Sequence, residues 1–170
     1  FSYPPNLAIA HVAQEMPATE RSALDYVLDG DAELRRLQQE LLDAETAHDG
    51  LKQAELHNAI DIIGGYTANT RAARLLNGLG FSDSQQQNPV NSFSGGWRMR
   101  LNLAQALMCR SDVLLLDGPT NHLDLDAVIW LQDWLCKYQG TLLLVSHDRD
   151  FLDTITDHIV HLEQGKAEIY

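Results

Sequence analysis

The sequence has few cysteines, few lysines and no long apolar run, and each scarcity removes a class of function. There are two cysteines, Cys109 and Cys136, without C-x-x-C spacing. That argues against a disulfide framework or a thiolate metal site, and predicts two reduced core thiols in a cytosolic chain. No stretch approaches the roughly eighteen consecutive apolar residues of a membrane span. Basic residues are outnumbered: 12 Lys and Arg against 24 Asp and Glu give a net charge of −12. Broad binding of a phosphate backbone by this segment alone is therefore not expected. The pairs Arg35/Arg36 and Arg71/Arg74 read as solvated helix faces. The only lysines are Lys52, Lys137 and Lys166. None sits in a G-x-x-x-x-G-K-[ST] run, so the chain holds no phosphate-cradling loop of that kind. It begins at Phe1 with no basic-then-apolar leader, and reads as an excerpt of a longer protein.

What is present suffices for a fold. Apolar residues make up 45% of 170 positions, enough for one domain with a core and an appendage. "NLAIAHVAQE" reads as a short strand, broken at Met16-Pro17. Thr19 is the expected N-cap of a helix that closes at Gly30. From residue 31, Leu34, Leu37, Leu41 and Ala44 form an apolar stripe on a charged helix. His48-Asp49-Gly50 is a hairpin tip, and a second helix returns to Gly64-Gly65. Such a hairpin either packs on a partner or projects from the body. Another helix ends at Gly78 and Gly80, followed by the aperiodic polar loop "SDSQQQNPVNS".

After Ser94 the pattern alternates. A helix carries Trp97, Leu101, Ala104 and Met108 on one face. "VLLL" is a strand expected to be covered on both sides, and "TLLLV" a second buried strand. With the helix "LDAVIWLQDWLCKY" between them they predict a parallel crossover. "DRDFLDTITD" is a further helix, and two strands close the chain around a Gln164-Gly165 turn. Trp130 and Trp134, four apart, read as packing residues. His158 and His161 are expected on opposite faces of a strand, which excludes a shared metal.

In an open parallel sheet, chemistry gathers at the carboxyl ends of the strands. One strand ends at Asp117 and another at Ser146-His147-Asp148. An aspartate closing a buried strand is suited to holding Mg²⁺ near a phosphate, although such residues also cap helices. Ser94-Gly95-Gly96 opens a helix whose uncovered N–H groups and dipole, with Arg98 and Arg100 close behind, suit an anion.

Taken in order, Ser-Gly-Gly, the strand to Asp117, Pro-Thr-Asn-His-Leu-Asp and Ser-His-Asp resemble the ATP-binding cassette. The resemblance covers nearly the whole chain. By it Gln14 fits the Q-loop; Ser94, Gly95 and Gly96 fit the signature; and Val113 to Asp117 fit Walker B. Asn121, His122, Leu123 and Asp124 fit the D-loop, and His147 the switch histidine. It implies an α/β fold: part of the parallel-sheet P-loop NTPase core of an ABC ATPase, with an inserted helical subdomain and an arm-like helical hairpin. The implied division is 1–15 for the end of the N-terminal core with the Q-loop, and 16–93 for the helical subdomain, its hairpin at about 31–63. Residues 94–170 follow as the signature helix and the C-terminal half of the core.

The wording "SGGW" and "NHLD", and the long hairpin, resemble the ABC-F family, tandem-cassette ATPases that act on ribosomes. That likeness implies ATP and Mg²⁺ as cofactors, with Asp117 and Gln14 on the metal. It implies Gln14, Ser94, Gly95, Gly96 and Asp124 on the nucleotide, and His147 in catalysis. It also implies a second cassette in the same parent chain, contact with the ribosome and its rRNA through that parent, no membrane, and a cytoplasmic location. A transporter motor is the alternative that Trp97 and the hairpin disfavour.

Two departures bear on mechanism. The phosphate loop is missing, and the resemblance puts it upstream of Phe1. Gly118 stands where the family carries a glutamate that orients or deprotonates the attacking water. Loss of a general base costs about 10²–10⁴-fold in rate. The expected site binds ATP and hydrolyses it poorly, and a non-hydrolysing regulatory module is a further alternative. The intact signature still suits completion of a partner's site.

Overall fold

The computed structural model describes residues 4–15, 17–163 and 166–169. Three parallel strands, β1 (Ile9–His11), β2 (Val113–Asp117) and β3 (Thr141–Val145), pair in the order β1-β2-β3. Ile9 pairs with Val113, which pairs in turn with Thr141, and Asp117 lies level with Val145. The crossover between β2 and β3 carries α6 (Leu125–Leu135), and α7 (Arg149–Ile155) follows β3. β4 (Val160–Glu163) and β5 (Lys166–Ile169) form a separate antiparallel ribbon. The expected turn at Gln164-Gly165 lies outside the described residues. His158 precedes β4 and only His161 is on it, so the histidines do not share a strand.

The expectation that β2 and β3 are covered on both faces is corrected. Leu114 and Leu116 are buried, but Leu143 is 62% and Val145 is 55% exposed. Leu142 and Leu144 pack against a core that includes Leu131, Leu135 and Phe151. Among the described residues helices cover one face only, and the alternation of a strand leaves its other side chains in solvent.

The helical region comprises α1 (Ala23–Leu28), α2 (Ala32–Thr46), α3 (Gly50–Ile62), α4 (Ala68–Gly78) and α5 (Gly95–Met108). Thr19 is not the N-cap of α1; Ser22 is, accepting from the Asp25 N–H. The cause is the segment at 88–91. Ala23 donates to the Asn88 carbonyl, Val90 to Arg21 and Asn91 to Thr19, which holds residues 19–22 extended. The same loop, read as aperiodic, contains two three-residue 3-10 turns, Gln85–Gln87 and Val90–Ser92, too short to leave a period. α4 rests on α6 where Gly78 meets the Trp130 ring, and Trp134 stacks on Tyr138 with centroids 5.9 Å apart. Both tryptophans are packing residues, as the spacing predicts.

α2 and α3 form the antiparallel hairpin. Leu34, Leu37 and Ala44 on one side and Leu56 and Ile60 on the other are buried, so the stripe is used within the fold. His48 takes a left-handed φ of 54° at the tip, and Asp49 caps α3 by accepting from the Lys52 N–H at 3.0 Å. At the base one arginine grips both feet. Arg110 Nε donates to both carboxylate oxygens of Asp31, each at 3.0 Å, and its Nη2 donates to the Ile63 carbonyl. Asp31 is the N-cap of α2, and Ile63 is the C-cap of α3. Arg71 from α4 adds a third contact to Asp31 at 3.3 Å. Arg35 reaches Asp29 at 3.0 Å. Neither Arg35 nor Arg71 is therefore the merely solvated charge that the sequence suggested.

The two thiols also differ from expectation. Cys109 is half-buried, and burial, with Asp31 close by, pushes its thiol up. Cys136 is exposed, at the end of α6 where the helix turns to solvent.

Candidate functional site at the carboxyl edge of the sheet

Parallel register fixes where the sequence-predicted residues go. β1, β2 and β3 run the same way in step, so Gln14, Asp117 and His147 all leave the sheet at its carboxyl edge. Asp117 is the last residue of the central strand and is flanked by the other two chains. It is exposed, and among the described residues its carboxylate has no hydrogen bond or ion pair. Gln14 lies in a bend three residues past β1 and is exposed. His147 is exposed, two residues past β3, with Asp148 capping α7 through the Phe151 N–H at 3.1 Å.

The three share an edge but not a cavity. A small hollow of about 50 Å³ under the edge is lined by Val12, Arg100, Asp117, Gly118 and His122, among others. A larger groove of about 870 Å³ runs along β3 toward β4 and takes in Ser146. It is lined largely by apolar residues such as Leu142, Leu152 and Val160. Neither is lined by Gln14, Asp117 and His147 together.

Gly118 occupies a position that glycine suits. Its N–H donates to the Val145 carbonyl at 2.8 Å, tying the end of β2 to β3, and its carbonyl accepts from Asn121 at 3.1 Å. Its φ is +55°, in the left-handed region. A Cβ there would come within 2.5 Å of the Asn121 side-chain nitrogen.

The start of α5 is open. Ser94 is exposed and its side chain caps nothing, and a Cβ on Gly96 would meet no atom within 4 Å. First-turn N–H groups at such an end have no helical acceptor. Arg100 does not add to this end, contrary to expectation, whereas Arg98 folds back beside it. Arg98 Nε donates to the Phe93 carbonyl at 2.8 Å. Arg100 donates to the Leu79 carbonyl at 2.9 Å, the His122 carbonyl at 2.7 Å and the Asp124 carboxylate at 3.0 Å. Its guanidinium also lies 4.5 Å from the Trp97 ring centroid. Arg100 is consumed by the fold, while Arg98 is anchored through Nε to the carbonyl that precedes Ser94.

Asp124, expected on the nucleotide, is likewise engaged. It caps α6 by accepting from Ala127 at 3.0 Å and pairs with Arg100. The Ala127 N–H, then Arg100, hold its carboxyl below the usual carboxylate range. The chain after Gly118 is thereby strapped to α5. Sequence reasoning missed this strap. It also missed Asn102, a buried amide on α5 that holds the carbonyls on both sides of Gln14.

The model of the family described as "ABC transporter" matches residues 9–121. The chain is 59% identical to "Probable ATP-binding protein YheS" of Escherichia coli K12 over 164 residues, covering 96% of this chain and 26% of that protein. It is 42% identical to "ABC transporter F family member 4" of Arabidopsis thaliana, covering 98% of this chain and 25% of that one. The chain thus spans about a quarter of the length of the curated relatives it matches. Among solved structures, it superposes with a TM-score of 0.59 and 21% identity on a crystal structure. That structure is described as the complex of archaeal ribosomal stalk protein aP1 with archaeal ribosome recycling factor aABCE1. The match covers 99% of this chain and 28% of that one, and shows the shared fold.

Proposed function

This chain belongs to the ATP-binding cassette family, on the F branch with YheS, and from that premise we propose that it is the ATP-binding part of a ribosome-associated translation factor that hydrolyses ATP slowly. The observation that carries the proposal is the Asp117 carboxylate at the end of the central strand, without a partner among the described residues, with the segments to Gln14 and His147 on either side.

The residues fit Mg²⁺ in kind. That ion takes one or two carboxylates and fills the rest of its shell with water and phosphate oxygens. Asp117 is a carboxylate without a partner among the described residues, and Gln14 is an exposed amide past the end of the adjacent strand. When bound, the ion would neutralise charge on the phosphates. Asp117 and Gln14 would hold it, and exposed His147 would face the phosphate end of the nucleotide. The triphosphate itself is only partly provided for. No lysine of this chain stands in a phosphate-cradling loop, so those ligands are proposed to come from elsewhere in the full-length protein.

Ser94, Gly95 and Gly96 would serve the nucleotide of a second cassette in the same protein. Their open helix end supports this role. Gly118 supports slow turnover, because no carboxylate follows Asp117 to take the proton of water. A reading in which closure rather than turnover is the output draws on the same glycine. No helix among the described residues is long and apolar enough to cross a membrane, and a cytoplasmic site of action is part of the proposal.

The test is co-sedimentation of the full-length protein with ribosomes. With a non-hydrolysable ATP analogue it is expected in the ribosomal pellet, and without nucleotide in the supernatant. Absence from the pellet in both conditions would contradict the translation role.

A further inference from the structure

We propose that Asn102 is a positioning residue for Gln14, its side-chain amide fastening the loop around Gln14 to the signature helix with Tyr26 holding the amide in place. The role rests on the nucleotide reading above. Asn102 is 1% exposed and lies between Leu101 and Leu103 on α5, where an apolar side chain would pack. A buried amide left unpaired is costly, yet this one is used at both ends. Nδ2 donates to the Ala13 carbonyl at 2.9 Å and to the Glu15 carbonyl at 2.8 Å. Oδ1 accepts from the Tyr26 hydroxyl at 2.7 Å.

Those two carbonyls belong to the residues immediately before and after Gln14. One amide therefore bridges the bend and leaves the Gln14 side chain outside it. A flipped amide would turn Oδ1 onto two carbonyl oxygens, and the Tyr26 hydroxyl opposes that flip. Burial, and Asp29 after it, push the Tyr26 phenol up, so it remains a donor. Tyr26 is itself held to α5, because Gln105 Nε2 donates to its carbonyl at 2.8 Å. The bend, α1 and α5 are thus one hydrogen-bonded unit. Any displacement of α5 at its Ser94 end reaches Gln14 through Asn102, which links this cassette's metal edge to the surface offered to the second cassette.

The test is amide exchange in the full-length protein, with ATP plus EDTA and with ATP plus Mg²⁺. Wild type is expected to gain protection over residues 10–20 when Mg²⁺ is present. Asn102→Leu keeps the volume and drops both donors. It is expected to exchange roughly tenfold faster at residues 13–15, the size of one lost buried hydrogen-bond pair, and to lose the Mg²⁺-dependent protection while residues 95–108 stay protected. Full Mg²⁺-dependent protection in this variant overturns the role. Tyr26→Phe removes one hydroxyl and leaves the packing, and decides the matter if Asn102→Leu loosens α5 as a whole. Unchanged exchange at residues 13–15 in Tyr26→Phe overturns the role. Absence of Mg²⁺-dependent protection in wild type contradicts the nucleotide reading itself.

Discussion

Gly118→Glu in the full-length protein is expected to raise ATP turnover at this site by about 10²–10⁴-fold, the usual contribution of a positioned general base. The substitution is not free. A side chain at φ +55° sits in the left-handed region, which costs an L-residue roughly 1–2 kcal/mol. The new Cβ would also meet the Asn121 amide nitrogen at 2.5 Å. That nitrogen is the free end of an exposed side chain, so it can swing away. Gly118→Gln brings the same strain and bulk without a carboxylate. Steady-state turnover of the two variants separates chemistry from geometry. Glutamate is expected to accelerate and glutamine is not. Equal rates for wild type and both variants, with ATP binding intact, would mean that the site is regulatory and lacks more than a base.

The second large effect is expected at the foot of the hairpin. Asp31 has a fully buried side chain and three charged contacts, two from Arg110 and one from Arg71. Arg110→Met removes the Nε that both oxygens share and leaves a buried carboxylate with Arg71 and the Leu34 N–H. Breaking a buried pair costs about 3–5 kcal/mol. The arginines are 32% and 39% exposed, and their screening by water places the expected loss near the lower end, about 3 kcal/mol. The measurement is the opening free energy of α2 and α3 from native-state amide exchange. Arg36→Ala is the control. Its pair with Glu40 lies on the exposed face, and a pair of that kind is worth about 0.5 kcal/mol or less. A shift for Arg110→Met no larger than the control would mean that the clasp does not hold the hairpin.

Much of the fold was legible because its signals are periodic or positional. The apolar runs before Asp117 and Ser146 announce parallel strands. The stripe from Leu34 to Ala44 announces a helix, and His48-Asp49-Gly50 its reversal. The failures have physical causes. Thr19 and Ser22 are both residues of capping type, serine the stronger, and residues 19–22 are held extended by backbone bonds from a loop some seventy positions away in sequence. The two sides of β3 cannot be told apart in "TLLLV", because a run of apolar residues does not record which face a helix covers. Arg98 and Arg100 looked like anion ligands from their place in the first turns of a helix. Arg100 is spent on two carbonyls and on Asp124, which no spacing reveals. Asn102 was invisible for the opposite reason: one polar residue in an apolar helix face carries no period, and only its partners give it meaning. The candidate site was read as a set of strand ends and a helix start, and parallel topology takes Gln14, Asp117 and His147 to one edge of the sheet without a shared cavity. What joins them, the Asn102 bridge and the Arg100 strap, is tertiary.

The central claim is that Asp117 holds the metal of a bound nucleotide. Mn²⁺ in place of Mg²⁺ can be counted by electron paramagnetic resonance in the full-length protein with saturating ATP, for wild type and Asp117→Asn. The account predicts ATP-dependent Mn²⁺ binding in wild type and one bound ion fewer per chain in Asp117→Asn. The same number of ions in both proteins would contradict it.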